Sequence, residues 1–352
     1  MVLLFFLFLS SNSQEELQPI AAMVNQEGIL YVTKEGFKQY DFAGNKLSQI
    51  PGTPNDAILQ IGDFFLVKDS TRYQSRFFSV KGKVDQVIEN TGWRYLIKLT
   101  DDLIAVVPDF FQFGHLEYLN NKLQIELTPD KYLKIYDPGT DPNPLMIQLI
   151  HVEVKDGQFQ LIQGKSFFRA TKEQKRLRLN FKKMFIEKAG SFFYVMTELN
   201  DEIYYYDDST INEERSIDPR MPFKKPSLSL ELKKFVSTEK SHAFPKGIYT
   251  DMDELYKDQY CWLFNRSKIL HFSKEETGFT VVYSVPSKQD DLPCDTVDVY
   301  IQELAIDGSN IGEPFVIEKQ SGSFAGLVKD KLYWFNKEMN AKTGHLEVIN
   351  IR

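Results

Sequence analysis

The sequence predicts an all-β fold, with a six-bladed β-propeller favoured over seven blades or a pair of β-sandwiches. One observation is a recurring unit: an apolar strand, a polar break, an aromatic strand and a turn. The other is that its apolar runs are too short, and too rich in β-branched and aromatic residues, for helices. Periods of about 40 residues built from short strands are typical of propeller blades, which bury their faces by stacking on their neighbours.

The clearest copy of the unit spans residues 28–50. Residues 29–32 predict a buried strand, and residues 37–42 predict the aromatic strand beside it. Residues 43–46, Ala-Gly-Asn-Lys, supply the positive-φ positions of a tight hairpin turn. Residues 47–50 then form a third strand, so the unit is a meander.

The unit returns along the chain in degenerate form. Residues 63–67 and 76–84 repeat the apolar strand, the aromatic strand and the Gly turn. Further copies of the apolar strand are predicted at residues 102–107, 191–195, 260–264 and 331–335, and the turn recurs at residues 305–310. Such repetition indicates one large domain, which we place at residues 15–352.

Composition limits the functions to consider. Of 352 residues, 42% are hydrophobic and 14% aromatic, which is enough for a large core. The formal net charge of -7 argues against nucleic acid as the main partner, because phosphate binding needs a basic face. After the first residues, no apolar run approaches the roughly 20 residues of a membrane span. We expect a monomer with no membrane span in the mature chain.

Residues 1–14 differ from the rest and predict an export signal or hydrophobic leader. Residues 2–9 are an uninterrupted apolar run, and the small residues of Ser10-Ser11-Asn12-Ser13 fit a signal-peptidase site before Gln14. No Lys or Arg precedes the run, so an internal start, an uncleaved anchor or a cytosolic protein stays open as an alternative. The expected location is the periplasm, the cell envelope or the extracellular space.

Several segments between the clear units also carry predictions. Residues 145–154 and 158–162 predict a hairpin around Lys155-Asp156-Gly157, and strict alternation over residues 176–182 predicts a half-buried strand. Residues 216–241, with Pro219, Pro222 and Pro226, predict a surface excursion between blades. The two cysteines, Cys261 and Cys294, form either one disulfide or two buried thiols.

Ring closure is the last structural expectation. An open ring would leave strand edges exposed, so the first and last blades must be joined. We predict that residues 17–24 pair in the same sheet as the C-terminal strand at residues 345–351. The alternative is that residues 17–24 form the inner strand of the first blade and that hydrophobic packing closes the ring.

The sequence contains few motifs typical of catalytic or binding sites, and we predict no catalytic, cofactor-binding or metal-binding residue. The five histidines are dispersed, without a metal-ligand spacing, and neither a nucleophile elbow nor a phosphate-binding Gly-rich loop occurs. Residues 251–254, Asp-Met-Asp-Glu, resemble the start of a calcium loop without its Gly and distal Glu, which leaves calcium as the alternative cofactor. Asp207-Asp208 and Asp290-Asp291 are expected in turns. Residues 265–267 fit a glycosylation acceptor.

Aromatic residues give one weak indication of a pocket. Phe110, Phe111 and Phe113 precede Gly114 and His115 just after a predicted strand, where a loop would cap one face of the ring. Such rings either line a pocket for a sugar or an apolar ligand or pack between blades.

The strand at residues 28–32, the turn at residues 40–46 and the segment at residues 306–314 resemble the blades of exported six-bladed β-propeller proteins of the NHL and TolB-like kind. The resemblance implies a non-enzymatic exported binding or scaffold protein whose partner is a protein, a small molecule or a carbohydrate. The alternative that it implies is a hydrolase or lactonase with a metal in the central channel. The shared motifs are blade architecture, so no functional residue is transferred.

Overall fold

The computed structural model describes residues 17–53, 56–69, 74–79, 84–88, 93–108, 116–119, 122–125, 145–156, 158–169, 183–198, 202–209, 247–249, 267–287, 296–337 and 341–351. These residues form antiparallel sheets, and the described part of the chain contains no helix. Six of the sheets are the blades of a β-propeller, so the predicted fold class and blade number are confirmed.

The first three blades have four strands each. The first blade contains β1 (Ala21–Asn25), β2 (Gly28–Thr33), β3 (Gly36–Tyr40) and β4 (Lys46–Ile50). The second contains β5 (Ala57–Ile61), β6 (Phe64–Asp69), β7 (Gln74–Ser79) and β8 (Val84–Ile88). The third combines β9 (Trp93–Lys98), β10 (Leu103–Pro108), β13 (Leu145–Lys155) and β14 (Gln158–Arg169).

The remaining blades follow the same order. The fourth contains β15 (Met184–Ala189), β16 (Phe192–Thr197) and β17 (Tyr204–Asp207). The fifth contains β19 (Lys268–Lys274), β20 (Gly278–Pro286), β21 (Val297–Ala305) and β22 (Asn310–Gln320). The sixth contains β23 (Ser323–Val328), β24 (Lys331–Asn336) and β25 (His345–Asn350).

A seventh sheet consists of β11 (Leu116–Leu119), β12 (Lys122–Ile125) and β18 (Gly247–Tyr249). Its strands come from two chain segments, one between the strands of the third blade and one between the fourth and fifth blades. Among the described strands it pairs with none of the blade sheets.

Six apolar clusters, one between each pair of neighbouring blades, hold the ring together. In each cluster, one face of a blade packs against the neighbouring blade. Together the six clusters connect every blade to the next, including the sixth to the first. The first strand of every blade is its inner strand, because β1, β5, β9, β15, β19 and β23 each stand at the end of their sheet and neighbouring inner strands lie side by side. The inner strands all start at the same face of the ring, which we call the start face.

The predicted strands correspond to the second strand of most blades. The apolar runs at residues 29–32, 63–67, 102–107, 191–195 and 331–335 are β2, β6, β10, β16 and β24, and they are largely buried. The hairpin around Asp156 is also confirmed, as Lys155 pairs with Gln158. In the fifth blade the equivalent strand is β20, whereas the run at residues 260–264 lies outside the described residues.

The predicted mode of ring closure is wrong. Strand β1 pairs with β2 in the first blade, and Asn25 lies opposite Gly28. The two-residue turn between them makes a local hairpin, and the sheet of the sixth blade consists of β23, β24 and β25 without β1. Closure instead rests on packing of β1 against β23 and on one hydrogen bond, from the backbone N of Gly344 to the carbonyl oxygen of Pro19, at 3.0 Å.

Other predictions fall outside the described residues. These are the leader at residues 1–14, the aromatic loop at 110–115, the strand at 176–182, the excursion at 216–241, the acidic segment at 251–254, Asn265, Cys261, Cys294, Asp290 and Asp291. The turn at Asp207-Asp208 is described and confirmed, because the Asp207 carboxylate accepts hydrogen bonds from the backbone N and Oγ of Ser209.

Candidate functional site

Charged and polar side chains gather toward the start face of the fourth and fifth blades. The cluster comprises Lys183, Glu198, Lys268 and His271, with Ser267 beside them. We call it the start-face cluster. An apolar cluster joins each pair of neighbouring blades, so the half-buried ionisable groups at this position need a separate explanation.

Strand alternation places Lys183 and Glu198 on the same face. Phe185 and Met196 belong to the apolar cluster between the fourth and fifth blades, and successive side chains in a strand point to opposite faces. Lys183 precedes Phe185 by two residues, and Glu198 follows Met196 by two, so both side chains face the fifth blade. The Nζ of Lys183 lies 5.1 Å from the centre of the Phe185 ring.

Backbone hydrogen bonds fix this corner of the ring. The backbone N of Glu198 donates to the carbonyl oxygen of Lys183 at 3.1 Å, which continues the β15–β16 ladder by one residue. The backbone N of Ile269 donates to the carbonyl oxygen of Glu198 at 2.7 Å. The second bond crosses from the fifth blade to the fourth, so the backbone on both sides of the cluster is held by the sheets.

A β-bulge in β19 sets the direction of His271. The pairing with β20 shifts between Ile269 and His271, leaving Leu270 as the extra residue. Ile269 and Phe272 both face the fourth blade although they are three residues apart, which shows that the alternation changes at this point. His271 is therefore turned toward the sixth blade, and its ring lies 5.7 Å from the ring of Phe324.

Burial perturbs all three of the titratable groups at the centre of the cluster. It lowers the pKa of Lys183, an effect that the charge of Glu198 partly offsets. It raises the pKa of Glu198, and the charges of Lys268 and Lys183 act in the opposite direction. Burial, aided by the charge of Lys183, lowers the pKa of His271 to about 4, so the imidazole is neutral at pH 7.

These side chains remain partly accessible even though protein atoms surround them. Lys183, Glu198 and His271 are half-buried, in contrast to the fully buried apolar residues beside them. Within the described part of the chain, no direct ion pair joins Lys183 to Glu198, and neither ring nitrogen of His271 has a hydrogen bond. The Lys183 ammonium group and the His271 ring thus keep hydrogen-bonding capacity that no described side chain uses.

Two buried hydroxyls near the cluster lack a hydrogen-bond partner among the described residues. Ser267 is 0% exposed and Thr197 is 1% exposed. Ser267 lies two residues before Ile269, on the face toward the fourth blade, whereas Thr197 continues the alternation of Val195 toward the third blade. A buried hydroxyl without a partner costs free energy, and such exceptions are rare in folded proteins. Ser267 therefore belongs to the start-face cluster and Thr197 does not.

The opposite face of the ring is crossed by an ion pair. The Nζ of Lys98, at the end of β9 in the third blade, lies 3.2 Å from Oε1 of Glu27, which is in the β1–β2 turn of the first blade. Asp101 also contacts Lys98, at 3.0 Å. The Glu27 contact joins two blades that are not neighbours, so side chains converge at this end of the channel.

None of these residues was predicted from the sequence, because their pairing depends on strand register and on contacts between blades. One signal was available: Lys183, Phe185 and Glu187 put two charges on one face of a strand that is otherwise apolar. Of the five histidines, His151, His271 and His345 are described and stay dispersed. Among the described residues no group of three His, Cys, Asp or Glu side chains is arranged to hold a metal ion.

The described residues also contain no helix long and apolar enough to cross a membrane.

No family model matches the chain, and no curated protein matches it. Among solved structures it is similar to a member of the DUF4221 family from Bacteroides vulgatus, at 8% identity and a TM-score of 0.47, over 95% of this chain and 93% of that one. It is also similar to the β-propeller domain of Cps50 (Swd1) from Myceliophteria thermophila, at 11% identity and a TM-score of 0.43, over 96% and 98%.

The blades, the closed ring and the inner strands define the class of protein as a six-bladed β-propeller. At such identities nothing about residues or activity follows from the similar structures.

Proposed function

We propose that the protein is a non-enzymatic, exported binding propeller that holds a small polar ligand in the start-face cluster. The observation that supports it is the set of half-buried ionisable groups of Lys183, Glu198 and His271 beside the buried hydroxyl of Ser267, which has no partner among the described residues. Buried polar groups are favourable only when hydrogen-bond partners compensate their lost hydration. In this proposal a bound ligand supplies the partners that the described residues lack.

The fold is well suited to this role. The groups stand on or directly beside paired strands, and the backbone hydrogen bond from Ile269 to Glu198 joins the two blades that carry them. A site held by rigid elements loses little conformational entropy on binding, which favours affinity for a small ligand.

The experiment is a thermal-shift survey of the mature chain with defined sets of hexoses, sugar acids, amino acids and nucleosides. We expect at least one compound to raise the melting temperature, because a ligand at 100 times its Kd stabilises the folded state by about 2.7 kcal/mol. The stabilisation should be lost in His271→Phe and kept in His151→Phe, whose side chain is exposed on β13. A hit that stabilises both variants equally would place binding elsewhere and overturn the proposal, as would a survey without hits.

Export is part of the proposal and has its own test. The apolar run at residues 2–9 and the small residues after it support it. Expression of the full chain in its native host, followed by mass spectrometry of secreted and cytosolic fractions, should show a mature chain that begins near Gln14. An intact Met1 in the cytosol would contradict export.

A further inference from the structure

We infer that the protein forms a weak symmetric dimer through the edge of the sixth blade. Strand β25 of one copy pairs antiparallel with β25 of a second copy, about a two-fold axis at Val348. This interaction surface lies at the outer rim of the ring and does not depend on the proposed ligand site.

Strand β25, the last strand of the sixth blade, has an outer edge with which no described strand pairs. The sheets of the first, second, third and fifth blades each contain a fourth strand at this position. An unpaired edge presents a row of backbone N–H and C=O groups to any further strand. A strand of another molecule can therefore continue the sheet of the sixth blade.

Edge strands usually carry features that prevent such pairing, and most of the other outer strands of this propeller have them. Bulges interrupt the pairing of β4, β8, β14 and β22 with their neighbours. The exception is β17, which is regular but has only 4 residues. Strand β25 pairs with β24 over its whole length without a shift, and residues 345–350 contain no Pro, Gly, Lys or Arg. This edge is thus regular and unprotected.

Exposed apolar side chains lie on both sides of this edge. Val348 shares the face of Tyr333, toward the first blade, and the Phe42 ring of that blade lies 5.8 Å from the ring of Tyr333. Phe315 of the fifth blade pairs with Ile301, so it lies on the face toward the sixth blade. Val348, Phe42 and Phe315 are all exposed. A strand added beyond β25 would cover apolar surface of both neighbouring blades, and exposed surface of this kind marks interaction sites.

The residues of β25 fit a second copy of the same strand. A two-fold axis perpendicular to the sheet pairs residues that point to the same face, so the axis passes through a residue position. With the axis at Val348, Glu347 lies opposite Ile349, and Leu346 lies opposite Asn350. With the axis at Glu347, the two carboxylates would lie opposite each other, which is unfavourable. The favoured register therefore places two exposed valines in contact.

The size of this surface predicts a weak complex. One strand pair with flanking apolar contacts lies at the low end of interface sizes, below about 1,200 Å². We therefore expect a dissociation constant of roughly 1–100 μM. The monomer that the sequence analysis predicts is then the form at high dilution.

Analytical ultracentrifugation of the mature chain over a range of concentrations tests the association. We expect an equilibrium between monomer and dimer. Val348→Lys should weaken the dimer at least tenfold, because two ammonium groups would lie opposite each other at the axis. Val87→Lys is the matched control and should leave the equilibrium unchanged, because Val87 is also 45% exposed but lies on the bulged outer strand β8.

Disulfide trapping tests the position of the axis. In a chain with Cys261→Ser and Cys294→Ser, Val348→Cys should give a covalent dimer on oxidation. Residues directly opposite in antiparallel strands have Cα atoms about 4.5–5.5 Å apart, which suits a disulfide. Val87→Cys in the same background should remain monomeric.

Three results would overturn the inference. A monomer at every concentration would show that the edge of β25 does not pair with a second copy. A dimer that Val348→Lys leaves unchanged, in a variant whose circular dichroism is that of the parent, would place the interface elsewhere. Trapping of Val87→Cys as efficiently as Val348→Cys would show that the covalent dimers arise from random collisions.

Discussion

At the residue scale, burial in the interface between two blades changes the pKa of Glu187. It lies on the same face of β15 as Phe185, in the interface with the fifth blade. Burial raises the pKa of its carboxyl to about 7, a hydrogen bond at the backbone of Lys274 acts in the opposite direction, and the charge of Glu275 adds to the rise. The group is therefore largely protonated in the folded protein near pH 6 and ionised in the unfolded chain.

This shift predicts a pH-dependent stability. Between a pH of about 4.5 and 7 the unfolded chain releases a proton that the folded protein keeps, so the free energy of unfolding falls as the pH rises through this range. Because Glu187 is partly exposed, we expect a loss of roughly 1–2 kcal/mol. Urea unfolding at pH 5 and pH 8 should show that Glu187→Gln removes this part of the pH dependence. Glu276→Gln, at an exposed turn position, should leave the dependence intact.

The start-face cluster could not be predicted from the sequence, for physical reasons that are specific to its residues. Lys183 and Glu198 become neighbours through the register of β15 against β16, and a shift of one residue would place their side chains on opposite faces of the sheet. The direction of His271 depends on the bulge at Leu270, which no local pattern in the sequence marks. Alternation alone would have placed His271 on the face of Ile269.

At the scale of elements, the sequence predicts the second strand of most blades and several of the turns between the third and fourth strands. Strands β2, β6 and β24 are nearly continuous apolar runs because both of their faces pack against neighbouring blades. Outer strands such as β22 are mostly exposed and mix polar with apolar residues, so no pattern separates them from loops. In the fifth blade the second strand is β20, which the sequence analysis did not single out, and the strand predicted at residues 260–264 lies outside the described residues.

The side-chain amide of Gln86 joins two blades because it forms the same two backbone hydrogen bonds that a neighbouring strand would form. Its Nε2 donates to the carbonyl oxygen of Phe159 at 2.8 Å, and its Oε1 accepts from the backbone N of Phe159 at 2.6 Å. The ring of Phe159 stacks on Phe77, with 3.9 Å between ring centres. One side chain of the second blade thus holds the backbone of the third where the two outer strands meet.

Replacement of Gln86 should therefore loosen this interface. Gln86→Ala leaves both backbone groups of Phe159 without these partners, and we expect a loss of roughly 1–3 kcal/mol in the free energy of unfolding. Gln163→Ala, an exposed position on the same strand β14, is the control and should change stability by about 0.5 kcal/mol or less. Equal effects of the two substitutions in chemical unfolding would show that the contact with Phe159 does not contribute.

On the scale of the whole molecule, the ring is closed by packing where the first and sixth blades meet. Val24 of β1 and Ala325 of β23 are buried in one apolar cluster with Phe335. Gly326 allows the close approach, because a Cβ at this position would lie 2.2 Å from the carbonyl oxygen of Val24. Strand β25 is the outermost strand of the sixth blade, and Val348 on it is 45% exposed.

Closure by packing predicts unequal contributions from the two ends of the chain. Val24→Ala should lower the free energy of unfolding by roughly 1–3 kcal/mol, because it leaves a cavity against β23. Val348→Ala should cost about 0.5 kcal/mol or less. Val24→Ala and Phe335→Leu should be non-additive, since both residues share one cluster, whereas Val24→Ala and Phe77→Leu should add within about 0.5 kcal/mol. If a strand shared by the two termini closed the ring instead, Val348→Ala would cost as much as Val24→Ala.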